Sequence, residues 1–269
     1  MRTGESRAVV VGPGGVVGTA WSVGLMHGLR EAGVDLAEAE TIVGTSAGAI
    51  AAGMLISGQD LGARATRSTP TEPEQGGGDP GVMVQAMALA RAGLGEAEEG
   101  RRDEVRREIG RLAMGVELPV GLHLERMRGL VGAGEWSHGG LRIPAIDVET
   151  GAAVVFTAED GVLPYEAAAA SSAIPGLMAP VEIGGRRYFD GGFRNGLSTD
   201  LAEGAAVVIE PLAHFMPGGA GNARVHIVPD AAARAAIGTD FADATRWADC
   251  FAAGAAQAVR AADEIRAVW

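Results

Sequence analysis

One short stretch, Thr41–Gly53 (TIVGTSAGAIAAG), constrains the fold more than any other. Thr41–Val43 is a β-branched apolar run of the kind that forms a buried strand. Gly44-Thr45-Ser46-Ala47-Gly48 follows and matches G-x-S-x-G, and Ala49–Ala52 opens an alanine-rich helix. Strand, tight turn and helix is the context in which this motif acts as a nucleophile elbow, with the serine hydroxyl thrust out of a strained turn. Chain passes close on both sides of such a turn, which explains glycine at both flanks, Gly44 and Gly48. The helix that begins after Ser46 aims its free N–H groups and positive end at whatever anion forms there. The alternative is a small-residue βα turn required only for close packing, and in a chain with 42 glycines the motif also arises by chance.

The residues before this stretch complete a β-α-β unit. Arg7–Val11 reads as a buried strand, and Thr19–Glu31 has helical spacing, with Trp21, Leu25 and Leu29 on one face. Gly33 stands where a helix cap belongs. Such a unit is parallel and right-handed, so both of its loops emerge at one sheet edge. The first loop is Gly12-Pro13-Gly14-Gly15-Val16-Val17-Gly18. It matches a dinucleotide loop imperfectly, because Pro13 or Val17 takes a glycine position in each register and no acidic residue ends the second strand. A second reading is an oxyanion hole made by the backbone N–H groups of Gly14, Gly15 and Val16 above Ser46. A third is close helix packing alone.

Composition narrows the classes. The 269 residues suffice for one large α/β domain, and the net charge of −12 argues against nucleic acid and against a purely electrostatic grip on anionic lipid. Every basic residue is arginine. The single cysteine, Cys250, allows no intrachain disulfide and reads as packing in a C-terminal helix. The polar start and the absence of a long apolar window suggest a cytoplasmic protein with neither secretory leader nor spanning helix.

Beyond the elbow helix, Thr69–Gly81 is a Pro/Gly/acidic loop, and Val82–Ala92, Asp103–Met114 and Leu122–Val131 read as helices. This stretch is either a lid over the site or an ordinary helical insertion. Leu141–Val148 with Ala152–Thr157, and the two halves of Val181–Phe189, read as hairpins around a helix at Pro164–Ser172. Ala205–Ile209 and Val225–Val228 read as parallel strands. Phe241–Trp269 reads as a long amphipathic helix broken near Gly254.

An exposed serine needs a base. His27, His123, His138, His214 and His226 are available. None carries a signal of its own, and only His214, after a strand end, is placed as a triad would need. Asp190-Gly191-Gly192 presents a carboxylate on a turn directly after a strand, which is also a routine turn signal.

Taken together, Pro13–Gly18, Gly44–Gly48 and Asp190–Gly192, with the approach Ala170–Gly176, resemble the patatin-like phospholipase family over roughly residues 7–230. The resemblance implies a three-layer α/β/α sandwich with a central mostly parallel sheet. It implies a single domain over 1–269, with a variable helical insertion about 59–135 after the elbow helix. It implies lipid acyl-ester hydrolysis through an acyl-enzyme, with Ser46 as nucleophile and Asp190 as its base, so that no histidine is required. Gly14, Gly15 and Val16 would form the oxyanion hole, supported by Gly12, Gly18, Gly44, Gly48, Gly191 and Gly192. No cofactor, metal or nucleic acid is implied; the partners would be a lipid or ester substrate and a membrane surface touched peripherally. The chain departs from the family at Val17, where a basic residue is usual, and at Pro13, where glycine is usual. The lost charge bears on phospholipid preference more than on ester hydrolysis. A non-catalytic lipid- or nucleotide-binding protein, or an esterase with a histidine base, are the competing readings.

Overall fold

The computed structural model describes residues 6–66, 78–95, 98–117, 121–202, 207–216, 218–221 and 223–269. Most of the expected Thr69–Gly81 loop lies outside these residues.

Eight strands form one sheet among the described residues, in the order β5-β6-β3-β2-β1-β7-β8, with β4 also paired to β3. The strands are β1 (Ala8–Val11), β2 (Thr41–Gly44), β3 (Leu141–Asp147), β4 (Ala153–Phe156), β5 (Val181–Ile183), β6 (Arg186–Asp190), β7 (Val207–Ile209) and β8 (Val225–Ile227). β3, β2, β1, β7 and β8 run parallel, whereas β4, β5 and β6 form an antiparallel end. β1 and β2 are buried throughout and pair Ala8 with Thr41 and Val11 with Gly44. That in-line register brings the loops after Val11 and Gly44 out side by side.

The helices are α1 (Gly15–Glu31), α2 (Ala47–Ile56), α3 (Pro80–Gly93), α4 (Glu99–Met114), α5 (Leu122–Val131), α6 (Pro164–Ser171), α7 (Ala231–Ile237) and α8 (Trp247–Arg266). Alternation along β1 assigns the faces. Val9 and Val11 join the main core with residues of α1, α2, α5, α6 and α8, whereas Val10 faces a small cluster with Val43, Val208 and Leu197. The layers are therefore unequal. One face carries a thick helical layer. On the other, α3 and α4 cover the antiparallel end through Ala86, Val105 and Ile109 against Ile146, Phe189 and Phe193.

Two expectations change. α1 starts at Gly15, four residues early, because the glycine loop itself turns into the helix. α8 runs unbroken through Gly254, where the missing side chain lets it lie against the Trp21 carbonyl of α1. α7, an alanine-rich helix of about two turns, was not expected. Among the described residues no helix is long and apolar enough to cross a membrane.

Candidate active site

Ser46 occupies the turn between β2 and α2 at φ 55° and ψ −117°, a conformation that L-residues avoid. Two contacts hold it there. Its N–H donates to Ser171 Oγ at 3.0 Å, and Gly48 lies so close to the Val11 carbonyl that any Cβ would collide with it. Gly44 packs against the first turn of α2 in the same way. The elbow is thus clamped from α6 and from β1.

Asp190 ends β6, opposite Ala145 of β3. Its Oδ1 accepts the Gly192 N–H at 2.7 Å, and its Oδ2 accepts the Ser46 hydroxyl at 2.7 Å. Gly191 sits against the Pro144 carbonyl. Both members of the pair are almost wholly enclosed, Ser46 at 3% exposure and Asp190 at 4%. Burial raises the Asp190 carboxyl and outweighs the hydrogen bonds from Ser46 and Gly192 that lower it, leaving it at about 6. An aspartate in water is ionised far below neutrality; this one titrates much nearer to it.

The glycine loop lies alongside. Gly12 donates its N–H to Ile209 of β7, and Gly18 donates to Gly14. Gly15 has φ +61° and is pressed against Phe241, so that only glycine fits. The N–H groups of Gly14 and Gly15 precede the first helical hydrogen bond and have no intrahelical acceptor. Val16 departs from expectation: its N–H donates to the Phe241 carbonyl at 2.8 Å, and the Val17 N–H reaches the same oxygen at 3.4 Å. The segment before α8 therefore takes up donors that either an oxyanion or a bound phosphate would have needed.

No histidine meets Ser46. His214 lies tilted against Phe215, His226 bonds Glu210 at 2.7 Å, and His138 bonds the Ala39 carbonyl at 2.8 Å. His27 lies in α1 against Phe251. His123 does line the cleft over Ser46, but its Nε2 is turned to α6. The cleft is narrow, about 60 Å³, and mostly apolar, with Ile50, Met127, Leu130, Ile174, Met178 and Trp247 among its walls. Among the described residues no cluster of three or more His, Cys, Asp or Glu could hold a metal.

Arg106 is the residue that sequence reasoning passed over. It sits in a charged run and is nevertheless 1% exposed. Its Nε donates to the Phe193 carbonyl at 3.1 Å and its Nη2 to the Arg194 carbonyl at 2.7 Å, while Nη1 meets Glu99 at 2.6 Å and Asp103 at 3.2 Å. α4 thereby fixes the turn that follows Asp190-Gly191-Gly192. Arg106→Met leaves two carbonyls without donors and is expected to cost about 2–4 kcal/mol in a urea melt. If the guanidinium positions Asp190, turnover of a nitrophenyl ester falls more than KM rises, and Arg106→Lys recovers part of it. The one sequence signal was its place beside the Val105–Ile109–Ala113 stripe.

An α/β sheet bearing a serine elbow beside a buried carboxylate defines the class. The chain belongs to the patatin-like phospholipase family, whose model matches residues 10–203. No curated protein matches the sequence. Among solved structures the chain is similar to VipD from Legionella pneumophila, at 14% identity and TM-score 0.49, covering 98% of this chain and 68% of VipD. It is also similar to the type III effector ExoU, at 17% identity and TM-score 0.42, covering 98% of this chain and 54% of ExoU. A third match is ExoU in complex with SpcU from the Pseudomonas aeruginosa type III secretion system, at 17% identity and TM-score 0.43, covering 96% and 53%. The chain thus spans little more than half of ExoU.

Proposed function

We propose that this protein is a serine-type lipid acyl hydrolase acting on carboxylic esters through an acyl-enzyme. The observation that carries the reading is the 2.7 Å hydrogen bond from Ser46 Oγ to Asp190 Oδ2 at the floor of an apolar cleft. Ser46 Oγ attacks the ester carbonyl while its proton passes to Asp190 Oδ2. The carbonyl oxygen takes the negative charge and faces the N–H groups of Gly14 and Gly15, with the positive end of α2 behind it. As the tetrahedral adduct collapses, the bond to the alcohol oxygen breaks, and Asp190 returns the proton to that oxygen. Water then attacks the acyl-serine, giving one proton to Asp190; as the acyl–Oγ bond breaks, Asp190 passes that proton to Ser46 Oγ and the fatty acid leaves.

The raised carboxyl supports this role. A base titrating near 6 is a stronger proton acceptor than an ordinary aspartate and is still ionised at neutral pH. The apolar walls suit an acyl chain. Small-molecule sites measure ~300–1,000 Å³, so in this reading the cleft opens when a chain enters, and the flexible Met127 and Met178 side chains line the walls that yield.

The pH profile tests the assignment. The kcat/KM for a short-chain nitrophenyl ester, measured from about pH 4.5 to 8.5, is expected to climb roughly tenfold per unit below about 6 and to level off above it. A profile without this inflection would remove Asp190 as the base.

A further inference from the structure

The cleft wall supplied by α5 contains one buried polar atom with nothing to bond. His123 is 8% exposed and lines the cleft beside Ser46. Its Nε2 lies 3.1 Å from the Ala169 carbonyl and 3.0 Å from Ser172 Oγ. A carbonyl only accepts, so Nε2 carries the hydrogen. Ser172 is consistent with this, because its own hydroxyl donates to the Ala168 carbonyl at 2.6 Å and leaves a lone pair for Nε2–H. The other ring nitrogen, Nδ1, is therefore a bare acceptor, and it has no protein partner. Burial, with help from the charge of Arg126 one turn along, pushes the ring down to about 4, so it stays neutral at physiological pH. Native interiors rarely leave such an atom unmatched. Ile50, Met127, Leu130 and Ile174 in the cleft wall have no side-chain donor, and the polar residues that also line it, Thr19, Ser46, Arg126, Ser172 and Trp247, form no hydrogen bond with Nδ1.

We propose that His123 Nδ1 is the acceptor for a hydroxyl carried on the acyl chain, which makes esters of hydroxylated fatty acids the preferred substrates. The proposal rests on the reading above that this cleft receives the acyl group. A hydroxyl there satisfies both itself and the ring nitrogen, whereas a plain chain leaves Nδ1 buried and unpaired. Sites built around such a bond discriminate strongly against the analogue that lacks it.

Binding to the Ser46→Ala protein tests this without depending on turnover. Methyl esters of one medium-chain fatty acid, unsubstituted or bearing a single hydroxyl at the second, third or a distal carbon, are titrated by intrinsic tryptophan fluorescence, since Trp247 forms part of the cleft. One hydroxylated isomer is expected to bind about tenfold tighter than the plain ester. The preference is expected to vanish in Ser46→Ala/His123→Phe and to return in part in Ser46→Ala/His123→Gln, whose amide oxygen can accept. Equal affinity across the isomers in the Ser46→Ala protein, or a preference that survives His123→Phe, overturns the proposal. The preference found together with a native protein that turns over no ester would uphold this subsite and count against the Ser46–Asp190 mechanism alone.

Discussion

Asp190→Asn is expected to lower ester turnover by at least about 10³-fold while leaving a folded protein that is more stable than the native one above pH 6. The two effects share a cause. The native carboxyl titrates at about 6 against an ordinary value of 3.8, chiefly through burial. Between these values the folded state holds a proton that the unfolded state has lost, so stability falls as pH rises through the window. It stays depressed above about 6, by roughly 3 kcal/mol for a shift of this size. Asparagine does not ionise and escapes that penalty, yet it can still accept the Gly192 N–H through its amide oxygen. The gap in stability between variant and native protein is therefore expected to be widest at pH 8 and to close toward pH 4, as read from urea melts at a series of pH values. A variant that loses stability at pH 8, or that keeps native turnover, would contradict the assignment of a buried, ionised base.

Ser46→Ala is expected to abolish turnover and labelling by a fluorophosphonate. It also acts on Asp190. The Ser46 hydroxyl is the larger of the two hydrogen-bonding influences that favour the ionised carboxylate. With it gone, the Asp190 carboxyl is expected to titrate above 6, which carbonyl-region infrared spectroscopy or carbon NMR of labelled aspartate can follow. An unchanged Asp190 titration would mean that the hydroxyl and the carboxylate do not meet in solution. Ser46→Gly adds a control on strain. Glycine adopts φ near +55° freely, so this variant is expected to gain ~1–2 kcal/mol over Ser46→Ala while remaining as inactive.

What the sequence disclosed was governed by range. The β1-α1-β2 unit and the elbow were legible because strand, turn and helix there answer to neighbouring residues. α5 was legible to the residue, since its apolar spacing and flanking glycines mark both ends. Asp190 stood out as a site residue only when set beside the other two motifs, as its contact with Ser46 spans 144 positions. Features decided by tertiary partners stayed hidden. Nothing local announces that the Phe241 carbonyl takes the Val16 N–H, that Gly254 eases a helix crossing and does not break the helix, or that one arginine in RRDEVRREIGRL is wholly buried and the others are not. His123 falls within the legible α5, but its role as a cleft wall depends on α5 folding back over α2 and α6.

The most direct measurement is acid-quenched mass spectrometry during turnover of a nitrophenyl ester. A covalent acyl group on the peptide containing Ser46 is expected in the native protein and absent in Ser46→Ala. Steady turnover with Ser46 unmodified, or with the acyl group on any other residue, would contradict the account.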